Sequence, residues 1–243
     1  MTPGGSGRRA TVETPRAPSD IRSEEFRRQA EAIVARYPNS HSATLPLMFL
    51  AQSVEGYVTE EGMRVVAEIL DLTPAQVLAA GSFYTMLKRR PQGEYLISVC
   101  RNISCTHMGA RAVIAAFEDR LGIPPGETTS DERFTLETAE CLATCDGAPT
   151  LQINYEDFYR VSPEDARALV DKLEAGEPVT SVRGEVVKTH REVSHEVATS
   201  GLRVPGTAGD QVERTIGGES PRADTAPGFR PKARGDTGES DGG

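Results

Sequence analysis

Two close pairs of cysteines constrain this chain more than any other feature of its sequence. Cys100 and Cys105 form a C-x4-C motif, and Cys141 and Cys145, the remaining two cysteines, form a C-x3-C motif. Each pair directly follows a segment whose alternating apolar residues predict a β-strand. Loops that leave the same sheet edge lie close together, so we expect the four thiols to converge on one point.

Four converging thiolates are typical of a soft-metal centre, either zinc or an iron–sulfur cluster. A structural zinc site more often shows C-x2-C knuckles in a fragment too small to fold without the metal. Here the flanking segment has enough apolar residues for a core of its own. Two disulfides, or four unrelated buried thiols, would also be compatible with the four positions. Spacing alone therefore favours an iron–sulfur cluster and leaves zinc open.

Charge and hydropathy exclude several classes of protein. The first residues, MTPGGSGRRATVETPRAP, contain two arginines without an apolar run behind them, so we expect no secretory leader and reduced thiols. The densest apolar run, Leu45 to Ala51, is far shorter than the roughly 20 residues that span a bilayer. With 36 acidic and 27 basic residues the net charge is −9, which argues against a nucleic-acid binder.

Composition separates the two ends from the middle of the chain. Residues 1–20 and 179–243 are rich in Pro, Gly, Ser and Thr, and Phe229 is the only aromatic residue of the second segment. Such segments bury too little apolar surface to offset the entropy of ordering, so we predict that both are disordered. Two domains remain, at 21–90 and 91–178.

Residues 21–90 carry apolar side chains at helical spacing and predict four helices. The predicted helices begin at Ser23, Pro46, Thr59 and Thr73. Short helices joined by tight turns form a small bundle. We expect Phe83, Tyr84 and Met86 of the stretch GSFYTML to belong to its core.

Residues 91–178 change to a period of two and then alternate between strand and helix patterns. The predicted elements are a strand at Glu94 to Cys100, a helix at Ala110 to Leu121, a strand at Phe134 to Ala139, a hairpin of Thr150 to Ile153 with Asp157 to Arg160, and a helix opened by Ser162 and Pro163. This β-α-β-β-β-α order predicts a small α/β sandwich of the thioredoxin type.

The cysteine motifs lie in a longer stretch that resembles a known family. The stretches SVCRNISCTHMGA and ETAECLATCDGAPTLQIN, with GSFYTML upstream, are similar to the small [2Fe-2S] subunit of the NADH-oxidising module of respiratory complex I. In bacteria this family is the E subunit of NADH-quinone oxidoreductase. The resemblance covers about Ser23 to Glu177 and implies a helical bundle followed by a thioredoxin-like ferredoxin domain.

The resemblance also implies a ligand set, a cofactor and partners. Cys100 and Cys105 would bind one iron of a single [2Fe-2S] cluster, and Cys141 and Cys145 the other. The cluster would accept single electrons from FMN on a partner flavoprotein subunit that oxidises NADH. The helical half would pack on this subunit, so part of the GSFYTML surface would belong to the interface instead of the core. The chain would contact the membrane only indirectly, on the cytoplasmic side, through the remaining subunits of the complex.

Two further interpretations stay open from the sequence. A diaphorase subunit of an NAD-linked hydrogenase or formate dehydrogenase would carry the same cluster, and a zinc-stabilised interaction module would carry none. No G-x-G-x-x-G follows a predicted strand, so we expect NADH and FMN on the partner and no catalytic residue on this chain. C-x4-C in place of C-x-x-C disfavours disulfide exchange.

Several residues beside the cysteines carry separate expectations. We expect His107 not to be a ligand, because a Rieske centre needs two histidines in place of two cysteines. The positive end of the following helix should favour the Cys105 thiolate. Asp146, next to Cys145, should lower the potential of a cluster. Pro149 precedes a predicted strand, and the sequence leaves its cis or trans state open.

Overall fold

The computed structural model describes residues 15–200 of the chain. These residues contain eight α-helices and five β-strands, joined by loops and short 3-10 turns. The helices are α1 (Glu24–Val34), α2 (Thr44–Glu55), α3 (Glu60–Leu70), α4 (Pro74–Phe83), α5 (Ile103–His107), α6 (Ala110–Leu121), α7 (Pro163–Glu174) and α8 (His190–Thr199). The strands are β1 (Tyr95–Cys100), β2 (Glu127–Thr128), β3 (Phe134–Ala139), β4 (Leu151–Ile153) and β5 (Glu156–Phe158). Residues 15–200 lie within one compact unit.

Side-chain caps determine where the first helices begin. Ser23, Thr59 and Thr73 each accept a hydrogen bond from the backbone N–H three residues further on, at the starts of α1, α3 and α4. The Gln76 side chain accepts a hydrogen bond from the Thr73 N–H and completes a capping box. These caps confirm three predicted helix starts, and Pro46 lies in the first turn of α2 as expected.

The helical half has a core built on α2. The buried apolar side chains of this core include Phe26, Ile33, Leu47, Met48, Leu50, Val66, Leu70 and Val77. Ala198 of α8 belongs to the same core, and α8 packs along α2. Helices α1–α4 therefore share their core with a helix from the far end of the described chain.

The prediction that 179–243 is disordered is wrong for residues 179–200. Thr189 forms a capping box with Glu192 at the start of α8, and the His195 ring is hydrogen-bonded to the Gln29 side chain at 2.9 Å. The buried face of α8 is mostly polar or small, which is why apolar periodicity gave no signal there. Residues 201–243 lie outside the described part of the chain.

The amino-terminal boundary also differs from the prediction of disorder at 1–20. Pro18 is buried, and the Arg16 carbonyl accepts a hydrogen bond from the Gln29 side chain at 2.8 Å. The backbone at Arg16 is thus held by a polar contact with α1, which composition does not reveal. Residues 1–14 lie outside the described part.

The second half is a five-stranded mixed sheet with the strand order β2-β3-β1-β4-β5. Strands β1 and β3 are parallel neighbours, and the other pairs are antiparallel. Helices α6 and α7 share a core with the sheet, in which Phe117 and Val170 cluster with Ile97, Val99 and Leu136. The predicted order of strands and helices is confirmed, with α5 and the two-residue strand β2 as additions.

Three residues of the stretch GSFYTML, Phe83, Tyr84 and Met86, are not core, contrary to the prediction, whereas Leu87 at its end is buried in the core of the helical half. Phe83 is 78% exposed, and Tyr84 and Met86 are each 38% exposed. Helix α4 ends at Phe83, so the helical spacing that suggested burial does not continue through Tyr84 and Met86. The three side chains form an exposed apolar surface at the end of α4.

None of the helices between residues 15 and 200 is by itself long and apolar enough to cross a membrane. Glu60–Leu70 and Pro74–Phe83 reach the required length and composition only when joined, and they are bent by 117° at their break.

Candidate metal centre

The four cysteines lie at or shortly after the ends of two strands, at one end of the sheet. Cys100 is the last residue of β1, and Cys141 follows the end of β3 by two residues. Because β1 and β3 are parallel and Cys100 is paired with Ala139, both strands end at the same sheet edge. The sequence-based prediction that both cysteine pairs follow strands is therefore confirmed.

The two pairs differ in their access to solvent. Cys100 and Cys105 are each only 1% exposed and pack with Ala110 and Ala148. Cys141 and Cys145 are exposed on the loop after β3. One side of the candidate centre therefore faces the protein interior, and the other side faces outward.

The sulfur atoms are arranged as two pairs. Cys141 Sγ lies 3.4 Å from Cys145 Sγ, and the Cys105 thiol is close enough to Cys100 to contribute to the raised pKa of Cys100. Among residues 15–200, no group of three or more Cys, His, Asp or Glu side chains lies close enough to hold one metal ion. Structural zinc needs four ligands around a single ion, whereas a [2Fe-2S] cluster takes two ligands at each iron. The arrangement fits the cluster better.

Each loop carries a polar group that favours a thiolate of the opposite pair. The Leu142 backbone N–H acts against the raised pKa of Cys100, and the Ser104 side chain acts against the raised pKa of Cys145. The Cys105 sulfur lies 3.6 Å from Thr150 Oγ1. Groups of each loop therefore act on a sulfur of the other loop at this sheet edge, and the convergence of all four thiols on one point stays a prediction.

The surroundings of two of the thiols favour their protonated form. Burial raises the pKa of Cys100, and the Cys105 thiol adds to this effect, while the N–H groups of Asn102 and Leu142 act against it. The hydrogen bond with Cys141 is the main cause of the raised pKa of Cys145. A metal cation at this site would displace these protons, because metal ligation needs thiolates.

Local backbone geometry brings the second loop close to the sulfurs. The Ala143 N–H lies 3.4 Å from Cys141 Sγ, and Ala143 has a φ of 62°, in the left-handed region. A Cβ at Gly147 would meet the Tyr159 ring at 2.4 Å, so only glycine fits there. The Ala148–Pro149 peptide bond is cis, which answers the question that the sequence left open.

Three neighbours of the cysteines were assigned roles from the sequence. Cys105 lies inside α5 and packs with Ala110, the first residue of α6, so the expectation that the amino-terminal end of α6 favours its thiolate stays a prediction. His107 ends α5 and is exposed, and Asp146 is exposed next to Cys145. Thr150 and the backbone donors are sulfur partners that the sequence does not reveal, because backbone N–H groups leave no sequence signature and Thr150 lies 45 residues from Cys105.

Comparison with known proteins identifies the family. Residues 30–174 match the thioredoxin-like [2Fe-2S] ferredoxin family. The E subunit of NADH-quinone oxidoreductase from Mycobacterium tuberculosis is 42% identical over 195 residues, which cover 76% of this chain and 77% of that protein. A protein named as E subunit 2 of the same enzyme, from Rhizobium meliloti, is 39% identical over 159 residues, covering 65% of this chain and 94% of that protein.

A solved structure of an NAD+-reducing [NiFe]-hydrogenase in the H2-reduced state aligns with a TM-score of 0.49 and 23% identity, over 54% of this chain and 22% of that chain. This structural similarity is too low to support a functional argument. The sequence matches, in contrast, cover most of the described residues and agree with the family to which the cysteine motifs point. The chain belongs to the thioredoxin-like [2Fe-2S] ferredoxin family, in the group formed by the E subunits of NADH-quinone oxidoreductase.

Proposed function

We propose that this chain is the [2Fe-2S] electron-transfer subunit of the NADH-oxidising module of NADH-quinone oxidoreductase. The observation that carries the proposal is the position of both cysteine pairs at the same edge of the sheet. The relatives named above, which are subunits of this enzyme, support it and favour it over a hydrogenase or formate dehydrogenase subunit.

We propose Cys100, Cys105, Cys141 and Cys145 as the four cluster ligands, with one pair at each iron. The cluster supplies one-electron transfer when it is bound. The residues of the chain hold it and determine its surroundings. The buried pair keeps water from one side, while the exposed Cys141 and Cys145 leave the other side accessible to a redox partner.

The electron donor in this proposal is FMN on the flavoprotein subunit that oxidises NADH. Two exposed apolar side chains flank the buried cysteine of α5: Ile103 is 73% exposed and Met108 is 62% exposed. Phe83 adds a third large exposed apolar side chain. Exposed apolar side chains beside a redox site are typical of a protein interface, so we assign Ile103 and Met108 to the flavoprotein contact. We propose that Phe83, on the helical half, is a further point of contact with that subunit.

The proposal has two further parts, which concern the helical half of the chain and its location in the cell. We propose that α1–α4 form the bundle expected of the family, with α8 as an added fifth member. The chain would lie peripherally on the cytoplasmic face of the membrane, held there by the remaining subunits of the complex.

Metal analysis tests the proposed function directly. Anaerobically purified protein is expected to contain about two irons and two acid-labile sulfides per chain and no stoichiometric zinc. Reduction with dithionite should produce a spin-half EPR signal, because a reduced [2Fe-2S] cluster holds one unpaired electron. One zinc per chain without sulfide would contradict the proposal and support an interaction module instead.

Asp146→Asn tests the electrostatics of the exposed side. Removing the negative charge next to Cys145 should raise the midpoint potential, since reduction adds negative charge to the cluster. Asp146 is exposed, so solvent and salt screen it, and we expect only a small shift that shrinks further at high ionic strength. EPR-monitored potentiometry at two salt concentrations measures it, and an unchanged potential at low salt would contradict this expectation.

A further inference from the structure

An ion pair joins the helical half to the sheet beneath the candidate cluster site. Lys88 Nζ lies 2.9 Å from Glu137 Oε2, and the Lys88 side chain is only 13% exposed. The Ser98 hydroxyl donates to Glu137 Oε1 at 2.7 Å. The carboxylate is therefore held between a cation from the loop after α4 and a hydroxyl on β1.

The register of β1 and β3 places this pair close to the cysteines. Ser98 is paired with Glu137, and Cys100 is paired with Ala139, two residues further along the same two strands. Residues two apart in a strand point to the same face and are about 7 Å apart. The Ser98 and Cys100 side chains therefore share a face, and the Glu137 carboxylate, which Ser98 contacts, lies on the same side of the sheet as Cys100.

Hydrogen bonds from the helical half hold the Lys88 backbone in place. The Lys88 N–H donates to Gln52 Oε1 at 2.7 Å, and its carbonyl accepts from the Val58 N–H at 2.7 Å. The Gln52 amide nitrogen donates to the Met86 carbonyl at 3.2 Å and to Ser194 Oγ at 3.0 Å. Because Gln52 is fully buried, these contacts hold the Lys88 backbone firmly.

At pH 7.5 two other titratable side chains near the Lys88–Glu137 pair, His190 and Tyr155, carry no charge, and a third, Arg191, is bonded elsewhere. Burial, with smaller effects from Lys88 and Arg191, lowers the pKa of His190 to about 4, so this histidine is neutral. Burial raises the pKa of Tyr155 well above its usual range, so the phenol keeps its proton. The Arg191 guanidinium donates to the Val54 carbonyl.

We propose that Lys88 raises the midpoint potential of the cluster. Its ammonium group offsets the negative charge of the Glu137 carboxylate, which by itself would lower that potential. This inference rests on the proposed function. Reduction by a one-electron donor adds one negative charge to the cluster and changes no bond on this chain. A nearby cation stabilises the reduced state, and a nearby anion destabilises it.

Three variants separate the charges from the fold. Lys88→Met should lower the midpoint potential, Glu137→Gln should raise it, and Lys88→Met with Glu137→Gln should return it close to wild type. At the wild-type midpoint we expect the ratio of reduced to oxidised cluster to change about tenfold in each single variant, which is about 59 mV for a one-electron couple. Lys188→Met is the matched control, since Lys188 forms an exposed ion pair with Glu196 on α8.

The measurement is EPR-monitored potentiometry with dithionite as reductant, on full-length protein at pH 7.5. Unchanged potentials in the two single variants, or shifts of the same sign, would overturn the inference. If Lys88→Met does not fold, Glu137→Gln alone decides, because only the charge argument predicts an upward shift. Absence of iron and sulfide in the wild-type protein would instead contradict the proposed function.

Discussion

Replacing Cys105 by alanine should abolish cluster binding while leaving the chain folded. Cys105 is 1% exposed inside α5 and packs against Ala110 and Ala148. Alanine fits the same space but supplies no thiolate. Loss of a residue that only orients a metal ligand typically costs a metal site about 10- to 100-fold in affinity, and loss of a direct ligand should cost more.

The measurement is iron and acid-labile sulfide per chain after anaerobic purification, together with the far-UV circular dichroism spectrum. The expected result is a loss of at least about tenfold in iron and sulfide with an unchanged helix and strand signal. His107→Ala is the matched control, because His107 is exposed only two residues further on and is not a proposed ligand. It should retain the full cluster content.

Two outcomes would contradict the ligand assignment. Full iron and sulfide content in Cys105→Ala would mean that the cluster does not depend on this thiol. Loss of the cluster in His107→Ala would make the histidine part of the site and would reopen the question of its role.

Replacing Gln52 by leucine should cost about 3 kcal/mol of unfolding free energy, because it leaves several buried or part-buried polar groups without partners. Gln52 is fully buried and bridges the Lys88 N–H, the Met86 carbonyl and the Ser194 hydroxyl. Leucine is of similar size, so the expected loss comes from hydrogen bonds and not from a cavity.

Urea unfolding of the cluster-loaded protein, followed by circular dichroism under anaerobic conditions, measures this loss. Ser194→Ala is the graded control: it removes only one of the three contacts, and we expect about 1 kcal/mol. Equal midpoints for wild type and Gln52→Leu would show that these hydrogen bonds do not stabilise the joint between α2, α8 and the Lys88 segment.

Local sequence signals predicted much of the fold. The caps at Ser23, Thr59 and Thr73 and the capping box at Ser162 depend on residues three apart, so a short window of sequence contains the whole interaction. Strand β3 was predicted with its observed bounds, since alternation of apolar residues reflects burial of one sheet face. The placement of each cysteine pair after a strand followed from the same signals.

Long-range polar contacts account for what the sequence did not reveal. Helix α8 buries Ser194 and His195 against Gln52 and Gln29, partners more than a hundred residues away in sequence. No apolar period marks such a helix. Conversely, Phe83 is apolar but exposed, because the path of the chain at the end of α4 carries it away from the core.

The sequence by itself determined the cysteine spacing, the resemblance to a known family and the order of β1, α6, β3, β4, β5 and α7, because these depend on neighbouring residues. Only the tertiary structure decided that one cysteine pair is buried and the other exposed, that α8 joins α2, and that Lys88 pairs with Glu137. These features arise where segments distant in sequence meet, and the pattern of one segment does not specify its partner.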